Sequence, residues 1–315
     1  IDQIVHHASG ANDSQTVLEY APKAAEAAIS AGSHREAAAH YQTALRFVDA
    51  AEPEQAAHLY ESWAYEAVLS DQMDDEVLKA RRHAITLWRA LNRPDKVGHN
   101  LRHLSRLHWY RGESAEAARL ADQAIRVLET LPASSEVAMA YSFRAQYHML
   151  NDQMAEAIKW GEMALNLEAD YPSPEIRMHA LNNIGTARVF RNDRSGIKAL
   201  DESLSLAITH GHHEAAARAY NNLAEFGVEF RDFALAEKTI EAGLAFDTEH
   251  DLDAWTHYLS GRLAQLRVDQ GRFEDARAIA QGIVSKEELP LVSRLPAKLV
   301  LAKVSMRLGL DGFET

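Results

Sequence analysis

Cysteine is absent from the chain, so disulfide bonds and thiolate metal sites are excluded, zinc fingers among them. This suits a reducing compartment, and a cytoplasmic location is expected. Long apolar runs are missing too. The longest, such as Lys298 to Val304, are broken by lysine and fall far short of the ~20 residues that span a bilayer, so a soluble chain with no membrane contact is expected. Positive charge is in short supply: 33 Lys and Arg against 46 Asp and Glu leave a formal charge of −13. Scattered among so many carboxylates, these cations predict no direct nucleic-acid contact by this segment. Nucleophile motifs are lacking as well, with no Gly-x-Ser-x-Gly and no cysteine. His213-Glu214 is followed at the fourth position by Ala217, so the metalloprotease pattern fails. The chain therefore reads as no enzyme, with no catalytic residues and no cofactor. It starts at Ile1 without a basic leader and apolar run, and reads as part of a longer protein with no visible secretion signal.

What is present is a repeat. A small residue followed by an aliphatic one recurs at Ala44-Leu45, Ala84-Ile85, Ala124-Ile125, Ala164-Leu165, Ser203-Leu204 and Gly243-Leu244, and Ile283-Val284 keeps the phase. The steps are 40, 40, 40, 39, 40 and 40 residues. A second series, Ala25, Tyr65, Ser105, Ala145, Gly185, Ala224 and Ala264, keeps the same period upstream. Two series imply two helices per repeat. Turn residues separate them at Ala31-Gly32-Ser33, Ser70-Asp71-Gln72, Arg111-Gly112, Asn151-Asp152, Arg191-Asn192-Asp193, Arg231-Asp232 and Gln270-Gly271. A second set of breaks divides one hairpin from the next, at Ala51-Glu52-Pro53, Asn92-Arg93-Pro94, Leu131-Pro132, Tyr171-Pro172-Ser173-Pro174, Thr209-His210-Gly211 and Leu289-Pro290. Proline there is expected to stop the preceding helix, and Pro22 to interrupt the first one.

These spacings predict an all-α, right-handed superhelical solenoid of about seven antiparallel hairpins, each of ~40 residues, plus an unpaired helix at the C-terminal end. The whole of 1–315 reads as a single repeat domain. Residues 1–13 form the tail of a preceding element. The repeats lie near 14–51, 52–92, 93–131, 132–171, 172–210, 211–249 and 250–289, with a partial eighth over 290–315 whose turn would fall at Gly309-Leu310-Asp311-Gly312. Short side chains recur because two helices approach closely only where side chains are small. A bulky residue at Ala124 or Ala164 is expected to overpack its hairpin by ~1–3 kcal/mol.

The alanine spacing, Gly271-Arg272-Phe273-Glu274-Asp275-Ala276 and the Asn221 to Ala224 stretch resemble tetratricopeptide repeats, with a longer period than usual. More narrowly, Val17 to Ala25 (Val-Leu-Glu-Tyr-Ala-Pro-Lys-Ala-Ala) followed by Gly32 to Tyr41 (Gly-Ser-His-Arg-Glu-Ala-Ala-Ala-His-Tyr) resembles the start of the helical-repeat region of large LuxR-type transcription regulators. That resemblance covers nearly the whole chain. It implies an ATPase domain before the repeats, a DNA-binding helix-turn-helix after them, and a repeat region that senses an effector or partner. Neither flanking motif occurs in this sequence.

The tetratricopeptide resemblance also implies that first helices face the concave wall, with exposed positions two and three residues before the small residue and one after it. These are Arg102, His103 and Arg106; Asn182 and Asn183; Asn221, Asn222 and Glu225; and Arg262 and Gln265. Asparagine amides there suit an extended peptide backbone, and the arginines suit carboxylates or phosphates. Each residue also fits a plain solvated position, and the asparagines also fit ties between hairpins. Trp63, Trp109, Tyr110, Phe143 and Phe190 fit either an apolar pocket in the groove or ordinary packing. His99, His103 and His108 share one helix, and His210, His212 and His213 crowd a turn. No acidic third ligand accompanies His99 and His103, so no metal is expected. Together these features predict a protein or peptide partner, or a small-molecule effector, in a concave groove. A stand-alone peptide-binding scaffold unrelated to transcription, and self-association through the apolar end of an uncapped solenoid, are the rival expectations.

Overall fold

The computed structural model describes residues 1–287, 289 and 291–309, and all of its regular structure is helical. After α1 (Asp2–Gly10) come seven hairpins. They are α2 (Ser14–Ser30) with α3 (His34–Leu45), α4 (Pro53–Leu69) with α5 (Asp75–Ala90), α6 (Pro94–Tyr110) with α7 (Ser114–Leu128), and α8 (Ser135–Leu150) with α9 (Met154–Glu168). Next are α10 (Pro174–Phe190) with α11 (Ser195–Thr209), α12 (His213–Glu229) with α13 (Phe233–Glu249), and α14 (Asp253–Asp269) with α15 (Phe273–Val284). A single helix, α16 (Leu291–Leu308), packs on α14 and α15, and each hairpin packs on its sequence neighbours. No described helix is long and apolar enough to cross a membrane.

The turn inside each hairpin falls on a residue with positive φ: Gly32, Asp71, Gly112, Asp152, Asn192, Arg231 and Gly271. Short polar residues and glycine tolerate this conformation, which lets the next N–H reach back over the helix end. Ser33 N–H donates to the Ala28 carbonyl and Glu113 N–H to that of His108, each at 2.8 Å. Between hairpins, Pro53, Pro94 and Pro174 occupy the first turn of α4, α6 and α10, so they start helices rather than stop them. Pro290 and the proposed turn at Leu310-Asp311-Gly312 lie outside the described residues.

Pro22 does not interrupt α2, which runs unbroken from Ser14 to Ser30. Proline removes the hydrogen bond that the carbonyl four residues earlier would accept. That carbonyl, of Leu18, instead accepts from Gln55 Nε2 at 2.9 Å, so α4 supplies the missing donor.

The small residues sit where helices cross. Ala25, Ala145, Ala224 and Ala264 on first helices, and Ala44, Ala84, Ala124 and Ala164 on second helices, are at most 1% exposed. Where serine takes the place, it also ties the hairpin: Ser105 Oγ donates to the Ala117 carbonyl and Ser203 Oγ to that of Met178, each at 2.7 Å. Backbone meets backbone where α10 crosses α11. A Cβ on Gly196 would lie 2.3 Å from the Gly185 carbonyl oxygen, a backbone atom with no room to move.

The solenoid completes a turn, so its early and late hairpins meet. α4 touches α14, and Leu69, Ala217 and Leu252 form a buried cluster with Tyr65, Phe246 and Trp255. Arg35 pairs with Asp251 at 2.6 Å and Asp253 at 3.2 Å, Asp71 pairs with His257, and Arg106 of α6 pairs with Glu214 of α12 at 2.7 Å. The concave face is thereby folded into a lumen walled by the first helix of each hairpin.

Two stability measurements follow. Gly196→Ala should lower unfolding free energy by about 1–3 kcal/mol despite alanine's better helix propensity. Gly282, exposed in α15 with open space around it, provides the control, and its alanine variant should gain about 0.5–1 kcal/mol in urea unfolding. The other concerns Asp247, 1% exposed, at a position where other repeats carry Trp88, Leu128 and Ala207. Burial alone pushes its carboxyl from 3.8 up to about 8. Between those pH values the unfolded chain has lost the proton and the folded chain keeps it, so stability falls as pH rises. Asp247→Asn should flatten that decline in denaturation curves taken across the interval; an unchanged slope would count against the assignment.

Candidate functional site

The lumen holds two adjoining compartments that share Arg106 and Arg218 in their walls. The first, of about 260 Å³, is lined by the apolar side chains Trp109, Tyr110, Met149, Phe190, Trp255 and Tyr258. Asn221, Asn222 and Glu225 supply polar groups to it. The second, about 370 Å³, is walled by charged and aromatic groups, among them Arg102, His103, Phe143, His179 and Glu214. These side chains come from α6, α8, α10, α12 and α14, so the compartments depend on five successive hairpins standing in phase.

Of the ten expected wall residues, Arg102, His103, Arg106, Asn221, Asn222 and Glu225 line one or both compartments. They are less exposed than anticipated, because closure of the solenoid covers the wall: Arg102 is 7% exposed and Asn221 3%. Asn182 and Asn183 are fully buried and line neither compartment. Asn222 Nδ2 donates to Asn182 Oδ1 at 2.6 Å and Asn183 Nδ2 to the Ser142 carbonyl at 2.9 Å, so these amides join α12 to α10 and α10 to α8. Their role as ligand contacts is corrected to one of ties between hairpins. Arg262 pairs with Glu225 at 2.5 Å, and Gln265 Oε1 accepts from Lys303 Nζ at 2.8 Å, so both are engaged within the solenoid outside the two compartments.

Trp63 is also corrected: it is buried in the core formed by the first hairpins. Trp109, Tyr110 and Phe190 do line the first compartment, and Phe143 the second. Arginine sits against several of these rings, with Arg106 5.2 Å from Tyr110 and 5.8 Å from Trp255, and Arg262 5.5 Å from Tyr258. Such stacking holds a guanidinium by its face and leaves its edge free for hydrogen bonds.

Burial keeps His99, His103, His179 and His213 neutral, with nearby guanidinium groups adding to it for the first three. His99 is lowered to about 3 by burial, with Arg102 and Arg81 adding to it. His103 falls well below its ordinary value, chiefly by burial. His213 is lowered to about 4 by burial, and its ring packs 4.2 Å from that of His250. His99 and His103 pack ring against ring at 4.6 Å. Among the described residues, convergent metal-type ligand atoms occur at Asp2, Glu36 and His40, all on α1 and α3 and remote from the lumen.

Charge in the second compartment is unevenly matched. Glu214 holds Arg106 so firmly that, against the cost of burial, its guanidinium is more basic than usual. Arg102 lacks such a partner, and burial lowers it to about 10. Arg218, His179, Trp255 and Tyr258 were not anticipated from the sequence. The signal for them was a continuation of the wall stripe: Glu214, Arg218, Asn221, Asn222 and Glu225 fall on one face of α12 at spacings of three and four. His179 precedes Asn182 and Asn183 in the same way on α10.

Because the asparagines tie hairpins, Asn183→Ala should cost about 1–3 kcal/mol by stranding the buried groups it serves. Urea unfolding reads this directly, and a cost within error of zero would show that the Asn183 tie does not hold the hairpins together.

No protein-family model matches the sequence, and no curated protein matches it either. Solved structures do match in fold. A signal transduction ATPase with numerous domains from Pyrococcus horikoshii, carrying a tetratricopeptide repeat sensor, superposes with a TM-score of 0.50 at 16% identity, over 86% of this chain and 41% of that one. The Rap conjugation gene regulator of the plasmid pLS20, in complex with the Phr* peptide, gives 0.65 at 12% identity, over 98% and 80%. A Rap protein complexed with competence and sporulation factor gives 0.57 at 11%, over 95% and 99%. The chain therefore spans less than half the length of the first of these. Likeness at such identities concerns architecture, and the architecture is that of a tetratricopeptide-like repeat solenoid.

Proposed function

We propose that this chain is a non-catalytic regulatory module that binds a peptide or small effector inside its lumen. In the intact protein it would couple that binding to the assembly of an ATP-dependent, LuxR-type transcription regulator. The observation that carries the binding role is the first compartment: a preformed apolar cleft with a few polar groups aimed into it, the usual makeup of a ligand site. Its size, about 260 Å³, suits a small molecule or one or two peptide side chains. The solved relatives add support, since one is a repeat sensor attached to an ATPase and another holds a peptide. The regulatory context rests on the resemblance of residues 17–25 and 32–41 to the repeat region of LuxR-type regulators.

The coupling would work through the closed ring. A ligand touching α6 on one side and α12 or α14 on the other bridges hairpins far apart in sequence, so its binding energy favours the arrangement in which they stand together. Any flanking domain sensitive to that arrangement shifts with it.

Selection of a random peptide library on the purified chain tests the binding role. Recovered peptides should lose about tenfold or more in affinity, ~1.4 kcal/mol, to Trp109→Ala with the melting temperature retained, and should weaken with Trp255→Phe, which keeps the closure cluster filled. Peptides indifferent to both changes would place recognition outside the lumen. For the regulatory context, the readout is ATP-dependent oligomerisation of the full-length gene product with and without a selected peptide. A gene with no ATPase and no helix-turn-helix around this segment would end that part of the reading.

A further inference from the structure

The second compartment contains buried donors with nothing to donate to. Nε and Nη1 of Arg102, Nε and Nη1 of Arg218, and Nε2 of His179 have no hydrogen-bond partner, and the three residues are at most 7% exposed. All three line this one cavity. They also form a contiguous group: the Arg102 guanidinium lies 3.9 Å from the Phe143 ring centre, and that ring stacks on His179 at 4.6 Å and 18°. Arg218 is near enough for its charge to be the strongest influence on His179 after burial.

The hydrogen on His179 can be placed. Asn183 Nδ2 donates to the Ser142 carbonyl, which fixes its amide as the donor end, and it also points at His179 Nδ1 at 3.2 Å. Ser142 Oγ lies 2.6 Å from the same nitrogen. Nδ1 is therefore an acceptor, so in the neutral ring Nε2 carries the hydrogen.

The carboxylates lining the cavity do not answer these donors. Glu214 is held by Arg106, and Glu66 by His34 at 2.6 Å. Glu61 accepts from Trp88 Nε1 at 3.0 Å and Asn100 Nδ2 at 2.7 Å. Glu175 stands exposed in the first turn of α10. Glu175 and Glu214 act on Arg102 and Arg218 through space without pairing with them, and buried guanidinium groups left without an ion pair are a burden on stability that a bound anion would relieve. In a chain of net charge −13, such a site is a local reversal of sign.

We propose that Arg102, His179 and Arg218 form an anion site that takes a carboxylate or phosphate group of the bound ligand. The inference rests on the lumen being the binding site and adds the chemistry of what enters it. Forked guanidinium groups suit the paired oxygens of such groups. Arg106 and Arg218 also border the aromatic compartment, so the ligand is an acid with an apolar body. Its head lies between the arginines and its body lies against Trp109 and Trp255.

The test titrates the purified chain with phenylpropionate, phenyl phosphate and the neutral phenylpropionamide, following tryptophan fluorescence and thermal melting. The two acids should bind saturably and the amide about tenfold or more weaker, with the better acid naming the carboxylate or phosphate source. Arg102→Met and Arg218→Met should each cut acid binding by a similar factor. Both should melt above the parent when no acid is present, because an unpaired buried charge is gone. Arg218→Lys, which keeps the charge and loses the fork, should fall between. Amide binding equal to that of the acid, unchanged affinity in the methionine variants, or no saturable response to either acid would overturn the site. Peptides selected in the separate library experiment and sensitive to Trp109→Ala would still stand in each of those cases, leaving the lumen as a binding site without this chemistry.

Discussion

Close contact between helix axes, permitted by alanine, serine and glycine at the crossings, governs how far each hairpin turns relative to the one before. Gly185 and Gly196 illustrate how little space is left, since their backbones touch. A methyl group more at several such crossings would open the angle, and a small angular change multiplied over seven hairpins would part α4 from α14. The lumen, its compartments and every residue directed into them follow from this accumulated geometry, because no single hairpin encloses anything.

Local packing of this kind was readable in the sequence; its sum was not. Two in-phase series of small residues and polar turn residues at matching intervals identify the hairpins, and each intra-hairpin turn carries its positive-φ residue within the marked segment. Closure is different. It depends on a per-repeat rotation of which a forty-residue period is independent, so Arg102 and Asn221 read as exposed when the closed ring covers them, while Asn182 and Asn183 are sealed between adjacent hairpins. Pro22 misled for a related reason: a rule about one helix cannot know that Gln55 of another supplies the missing donor. Arg218 and His179 lay one turn beyond the part of the stripe expected to face inward, and closure brings that extra turn into play.

Polarity is distributed in layers. The outer helices and turns carry the acidic excess, solvated and scattered. Between hairpins, buried amides and hydroxyls join backbone to side chain and give each interface a single register, much as a polar residue in an apolar seam fixes alignment. Inside, arginines and neutral histidines line the lumen, with Arg102 and Arg106 propped on aromatic rings. Burial drives the imidazoles to give up their charge while the guanidinium groups keep theirs, so the positive character of the interior is carried by arginine and is insensitive to pH near neutrality.

The contacts of Arg35 with Asp251 and Asp253 have a mechanical meaning. An open solenoid behaves as a spring, lengthening or flexing a little at every interface. One whose first hairpin is fastened to the start of its seventh is closer to a hoop, in which strain at any point is shared around the whole circumference. Those fastenings are ionic and lie near the surface, so dissolved salt loosens them while leaving the apolar interfaces intact. Salt thus weakens only the outer fastening of the hoop, while the buried cluster of Leu69, Ala217 and Leu252 and the Arg106–Glu214 pair keep it closed from within.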